Sequence, residues 1–295
     1  MASSVRPGPI SATTRLTGIF GDPIGHSLSP AMHNAAYAAL GMDRRYVAFH
    51  VTRAELLPAL RGIAPLKIAG VNLTLPHKAR ALAVMDELTA EGELLGAINC
   101  VINRDGKLVG DNTDARGLER DLHAHGIGIA ARTVLVVGAG GAGAAAVVAL
   151  SRLKAARVVI ANRTARRASA LARRFAQGAL RRTRFEAVGL RELVNSSLLA
   201  ELVCVVNATS LGLTGADFPH LEYDATPPNC FFYDTLYARR PTRFLAGAIR
   251  ARRKCADGAG MLVEQGELAF NLFNGVRAPH GVMRRALLDT LGRTR

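Results

Sequence analysis

Along this chain, short β-branched runs alternate with longer stretches in which apolar residues recur every three or four positions. The first third reads TGIF, RYVAFHV and IAGVNLT as strands. SPAMHNAAYAALG, RAELLPALRG and HKARALAVMDEL read as the helices between or after them. NCVINRDGKLVGDN has the pattern of a hairpin turning at Asp105-Gly106, and DARGLERDLHAHG that of a helix stopped by Gly126. A second series supplies strands at 134–137, 158–161, 184–188, 203–208 and 231–234, with helical segments between them. Two more helices, MLVEQGELAFNLFNG and PHGVMRRALLDTLG, end the chain. Such alternation predicts an α/β protein with a parallel sheet covered on both faces. The pattern changes near Asp114 and again near 257–260, which divides the chain into 1–114, 115–257 and 258–295. Composition does not decide which half receives the last two helices.

One uncharged stretch, TVLVVGAGGAGAAAVVALS (133–151), approaches the length of a membrane span. Its glycines cluster behind a β-branched run, so it reads as strand, tight turn and small-faced helix, and no membrane contact is expected. The turn, Gly138, Ala139, Gly140, Gly141, Ala142 and Gly143, fits G-x-G-x-x-G in the context that makes the pattern informative. Gly138 permits the turn, Gly140 lets backbone approach a pyrophosphate, and Gly143 lets helix and strand pack closely. At the end of the next strand the chain reads VVIANRTARRASA. An NAD site places an acid there for the ribose 2′-hydroxyl. This chain has none, and offers Asn162, Arg163, Thr164 and Arg167 where a 2′-phosphate would lie. Cations at a helix N-terminus oppose the macrodipole, a conflict that a bound anion relieves. The preferred cofactor is therefore NADP(H).

In the first third, GHSLSPAMHN (25–34) sets two serines at a helix mouth. Ser29 as N-cap and Pro30 in the first turn account for the helix start but leave Ser27 and His26 unexplained. Adjacent hydroxyls at a helix N-terminus suit an anionic ligand. GVNLTLPHK ends a strand at Thr74 and sets Lys78 just beyond; GAIN carries Asn99 and GDNTD carries Asp114. Taken singly, these residues are ordinary turn, cap and surface residues. A lysine with a carboxylate partner can nevertheless give a proton to a ketone oxygen as hydride reaches the carbon, and take it back in reverse.

Net charge is +15, most of it scattered arginine. With no Trp and few aromatics there is no stacking stripe for bases, so no specific nucleic-acid partner is expected. Cys100, Cys204, Cys230 and Cys255 lack metal or redox spacing, so no metal is expected, and buried reduced thiols suit a cytoplasmic protein. MASSVRPGPISATTR lacks an apolar core segment and reads as a frayed tail.

GDPIGHSLSPAMHN, GVNLTLPHK, GAIN, GDNTD, GAGGAG, NRTARRA, NATSLG, YDTLY and DGAGMLVEQG occur in this order over nearly the whole chain. In this combination the chain resembles the shikimate dehydrogenase family. The resemblance implies NADPH-dependent reduction of 3-dehydroshikimate to shikimate, in the route to aromatic amino acids. It implies an N-terminal substrate domain rejoined by the C-terminal helices, with a Rossmann-like nucleotide domain inserted, and an active site in the cleft. Lys78 and Asp114 match the catalytic pair. Ser27 and Ser29 match the carboxylate-binding serines; Thr74, Asn99, Asp114 and Gln265 the residues holding ring hydroxyls; and Tyr237 a tyrosine near the carboxylate. Thr209, in NATSLG, and Gly258 and Met261, in DGAGM, match the cofactor side. A monomer or homodimer is expected.

Two positions depart from the family form. Thr235 stands where methionine is common, and His77 replaces an apolar residue beside the lysine and reads as surface. The nearest rivals are a quinate/shikimate dehydrogenase, often NAD-linked, and an aminoshikimate-type relative. A more remote rival is a basic nucleic-acid-binding protein on an inactive dinucleotide fold. It predicts steeply salt-dependent binding and no turnover.

Overall fold

The computed structural model describes residues 8–178, 180–211 and 218–293. The chain divides into two compact units, Met1–Asp114 with Val263–Arg295, and Ala115–Leu262. The second division falls at 262/263, inside a helix, where the change of pattern had placed it at 257/258.

The first unit begins with β1 (Arg15–Gly21), α1 (Ser29–Ala39), β2 (Arg44–His50), α2 (Leu56–Gly62) and β3 (Gly70–Leu73). β4 (Glu87–Leu88), α3 (Ala90–Leu95), β5 (Cys100–Arg104) and β6 (Lys107–Asp111) follow. Its sheet runs in the order β2-β1-β3-β5-β6-β4. The β1 pairs with β2 and β3 are parallel, whereas β3–β5 and β5–β6 are antiparallel. The expected hairpin is present, with φ of 51° at Asp105 and 95° at Gly106, the signs a tight primed turn requires. The single helix expected over 77–88 is absent. Only a five-residue 3-10 turn forms, at Arg80–Val84, and Glu87–Leu88 pairs with β6 instead. Strand pairing thus overrides helical periodicity there. Asn34, on α1, donates to the Tyr46 carbonyl at 2.8 Å and accepts from the Tyr46 amide at 2.9 Å, covering the open edge of β2.

The second unit holds α4 (Asp114–Ala124), β7 (Thr133–Val137), α5 (Gly141–Arg152), β8 (Arg157–Ala161), α6 (Ala165–Ala176) and β9 (Arg184–Val188). It continues through α7 (Ser196–Leu199), β10 (Leu202–Asn207), β11 (Phe231–Asp234), α8 (Arg243–Arg250), β12 (Lys254–Ala256) and the first turn of α9 (Ala259–Asn274), whose remainder belongs to the first unit. α10 (Val282–Leu291) returns to the first unit. All six strands are parallel, in the order β12-β11-β10-β7-β8-β9. Counted from β7 that is 6-5-4-1-2-3, the doubly wound dinucleotide arrangement. The uncharged stretch at 133–151 resolves into β7 and α5, and no helix among the described residues is long and apolar enough to cross a membrane. The sequence pattern did not anticipate β12, a three-residue edge strand.

Candidate active site

Four chain segments of the first unit converge on one polar cluster. Lys78 Nζ donates to Asp114 Oδ2 at 2.6 Å, and Asn99 Nδ2 donates to Asp114 Oδ1 at 2.7 Å. Asn99 Nδ2 also lies 3.4 Å from Gln265 Oε1. Lys78, Asn99, Asp114 and Gln265 are thus brought together. The lysine side chain is 24% exposed and its partner 9%. The ammonium therefore keeps donors free for a ligand, while the carboxylate is held by two donors.

Other residues hold these in place. Thr113 N donates to Asn99 Oδ1 at 2.8 Å, and Asp114 N donates to Asn112 Oδ1 at 2.9 Å. Asn112 Nδ2 in turn donates to the Ala97 carbonyl at 2.7 Å. Asn72 Nδ2 donates to the Asn99 carbonyl at 3.0 Å, and Asn72 Oδ1 accepts from the Tyr46 hydroxyl at 2.8 Å. Burial raises the Tyr46 phenol well above its ordinary range. Asn72, Asn112 and Thr113 lie within the motifs GVNLT and GDNTD, where the sequence alone marks no role for them. Only their burial and partners reveal one.

Ser27 and Ser29 stand at the start of α1. Ser29 is the first helical residue, not the cap: Leu28 occupies that position with helical angles and makes no side-chain cap bond. The Ser29 amide donates to Ser27 Oγ at 3.4 Å, and Ser29 itself is buried. Thr74 follows β3 half-buried, and no hydrogen bond among the described residues joins its hydroxyl to the cluster. His77 is no surface residue. It is fully buried, and Nε2 donates to the Val51 carbonyl at 2.7 Å. The ring fastens the segment that carries Lys78. His26 is exposed.

In the second unit, Gly138 has φ of 115°, and a Cβ there would lie 2.7 Å from the Ala208 carbonyl oxygen. A Cβ on Gly143 would lie 2.2 Å from the Gly138 carbonyl oxygen. Both glycines are therefore fixed by close approach. Around Gly140 and Gly141 a Cβ meets nothing within 4 Å, which leaves that face of the loop and the α5 N-terminus open to an anion. At the end of β8, Arg163, Thr164 and Arg167 are exposed, and α6 has no acid in its first turn and no side-chain cap. Asn162 Nδ2 donates to the Thr164 carbonyl at 2.9 Å, which holds the turn. The donors present suit a phosphate.

Thr209 is tied by its amide (3.0 Å) and hydroxyl (2.7 Å) to Asn207 Oδ1. Gly212, the last residue of NATSLG, lies outside the described residues. A Cβ on Gly258 would lie 2.3 Å from the Thr235 carbonyl oxygen, so glycine is required there. Met261 is buried. Tyr237 belongs to this unit, and burial raises its phenol.

The model of the shikimate dehydrogenase substrate-binding domain matches residues 19–101. That of shikimate/quinate 5-dehydrogenase matches 122–211, and that of the shikimate 5′-dehydrogenase C-terminal domain matches 258–288. A shikimate dehydrogenase (NADP(+)) of Geobacter metallireducens is 42% identical over 286 residues, covering 96% of this chain and 99% of its own. A crystal structure of shikimate dehydrogenase in complex with NADP+ superposes with a TM-score of 0.87 at 32% identity, over 98% of this chain and 99% of that one. Quinate dehydrogenase from Corynebacterium glutamicum in complex with NAD gives 0.85 at 29% identity, over 94% and 99%. On these matches, which span almost its whole length, the chain belongs to the shikimate dehydrogenase family.

Proposed function

We propose that this enzyme catalyses the reversible NADP-linked reduction of 3-dehydroshikimate to shikimate. The observation that carries the reading is the Lys78–Asp114 pair at 2.6 Å, with Asn99 on the second carboxylate oxygen. NADPH, when bound, supplies the hydride. Lys78 gives a proton to the ketone oxygen as the hydride arrives and removes it from the hydroxyl in reverse. Asp114 keeps the ammonium oriented and charged, and with Asn99 and Gln265 it offers hydrogen-bonding groups to ring hydroxyls. Thr74 borders the same ring. Ser27 and Ser29 receive the carboxylate of the substrate, and Tyr237 is assigned to the same anion.

The second unit takes the cofactor. Gly138, Gly140, Gly141, Ala142 and Gly143 form the pyrophosphate turn, and Asn162, Arg163, Thr164 and Arg167 receive the 2′-phosphate. Thr209, Gly258 and Met261 are assigned to the cofactor side. Absence of an acid after β8 supports NADP over NAD. The paired serines support shikimate over quinate, which has an extra hydroxyl on the carboxylate-bearing carbon. The cytoplasm, where buried Cys100, Cys204 and Cys230 stay reduced, is the assigned setting, and the enzyme works as a monomer or homodimer.

The test is to follow nicotinamide absorbance with shikimate and with quinate, each with NADP and with NAD. Turnover concentrated in the shikimate–NADP pair is the expected result. Equal turnover with quinate or with NAD removes the corresponding specificity assignment. No turnover in any pair removes the enzyme reading.

A further inference from the structure

The net charge is not spread evenly. Residues 115–262 contain 22 Lys and Arg against ten Asp and Glu, so this unit carries +12 of the total +15. The imbalance is steepest from Arg163 to Arg184. That stretch holds eight arginines (163, 166, 167, 173, 174, 181, 182, 184), no lysine and no acid, and all eight are exposed. Apart from Arg174, which lies over the Phe175 ring, none of the eight makes an ion pair among the described residues. By contrast Arg157, just outside the stretch, is held by Glu186 and Glu201 at 2.8 and 2.7 Å.

The fold gives these arginines an order. α6 buries Ala168, Leu171, Ala172 and Phe175, which leaves Arg166 with Arg173, and Arg167 with Arg174, as two columns on its outer side. Seven residues separate the members of each column, about 10 Å along the axis. The cofactor's 2′-phosphate uses the N-terminal end of α6. Arg173, Arg174, Arg181, Arg182 and Arg184 lie at its other end, where the chain turns into β9, and Gln177, Gly178, Arg181 and Arg182 line an open groove there. Five charges at this end are left without a use in the dehydrogenase reaction.

We propose that this second arginine cluster is a docking surface for the phosphate backbone of duplex nucleic acid, read without regard to sequence and separate from the NADP site. Arginine alone, with no lysine, suits planar multidentate phosphate contact. The aromatic residues in and beside this stretch are Phe175, which is buried, and Phe185, half-buried and packed against it with ring centroids 6.2 Å apart. The surface therefore offers little for unstacked bases, and a duplex fits it better than a single strand. A duplex presents one charge per about 1.7 Å of its axis, so a patch of this size faces several phosphates at once.

The experiment is fluorescence anisotropy of the full chain with a labelled mixed-sequence 20-base-pair DNA, at 50 and 200 mM salt, with and without saturating NADP. Five phosphate contacts give a salt slope near −4.5, so affinity falls about 500-fold over that range. NADP changes the affinity less than twofold. The variant R173Q/R174Q/R181Q/R182Q keeps its thermal midpoint and its dehydrogenase activity, and its salt slope drops to about −1. Any of four results overturns the proposal: no binding at 50 mM salt, unchanged binding by the variant, displacement of the duplex by NADP, or tighter binding of polyglutamate than of DNA. The last would point to an acidic protein partner instead.

Discussion

Replacing Lys78 by methionine removes the ammonium while keeping most of the volume of the stem. Asp114 then keeps only Asn99 as a side-chain donor, on a carboxylate that is 9% exposed. A positioned acid contributes on the order of 10²–10⁴-fold to proton transfer. A loss of about 10³ in kcat, roughly 4 kcal/mol of barrier, is therefore expected in steady-state absorbance assays with shikimate and NADP. Stability falls less. Removing one partner of a fully buried pair costs about 3–5 kcal/mol, but water reaches the Lys78 side, which lowers the cost to about 1–2 kcal/mol. NADP affinity, measured by direct titration, stays within about twofold, because no cofactor group is removed. Asp114→Asn keeps the Asn99 contact but sets an amide donor against the ammonium. It should cost a similar factor, and the double variant should be scarcely slower than either single one, as for groups acting as a unit. The reasoning is refuted if Lys78→Met turns over within tenfold of the parent enzyme and only its shikimate KM changes. The lysine would then be a binding group and the proton would come from elsewhere.

Three further outcomes are expected. Replacing both Arg163 and Arg167 by serine should raise the NADP KM about 10- to 100-fold at low salt and leave the NAD KM unchanged; equal losses for both cofactors would place the 2′-phosphate elsewhere. Gly143→Ala should destabilise by about 1–3 kcal/mol in a urea titration, because its Cβ would lie 2.2 Å from the Gly138 carbonyl oxygen, whereas Gly141→Ala, with open space around it, should alter only NADP affinity. Burial pushes His33 down to about 3, so the unfolded ring takes up a proton near pH 6.5 that the folded ring refuses. Stability from this site is present above 6.5 and lost as pH falls toward 3. Between pH 7 and 5 the parent should lose about 2 kcal/mol more than His33→Phe, and equal losses would show that the ring protonates in place.

Much of the second unit was legible because β7, β8 and β10 are short β-branched runs buried on both faces, with helices between them. The glycine turn could be read because backbone approach admits few residues. The rest was hidden mostly by contacts distant in sequence. Periodicity over 77–88 suggested a helix, but Glu87 and Leu88 find a parallel partner in Val109 and Gly110. A pairing so distant in sequence leaves no local trace. β12 has three residues and pairs only with β11, too short to show alternation. His77 looked like surface because it stands between a proline and a lysine. The partner of its ring is the carbonyl of Val51, 26 residues away. Asn72, Asn112 and Thr113 were hidden for the same reason: each acts through bonds that only the folded chain creates.

The start of α1 bears on what the serines are for. A serine before a proline is most simply read as an N-cap, and had the Ser29 hydroxyl been spent on an amide of its own helix, the stretch would need no further explanation. The helix instead begins without a side-chain cap, and the buried Ser29 is its first residue. The neighbouring Tyr46 hydroxyl is already satisfied by Asn72 Oδ1 at 2.8 Å. The Ser29 hydroxyl is thus needed neither to start the helix nor to hold the phenol, and a carboxylate arriving at the helix mouth can take its proton in a charge-assisted bond, roughly twice as strong as a neutral one.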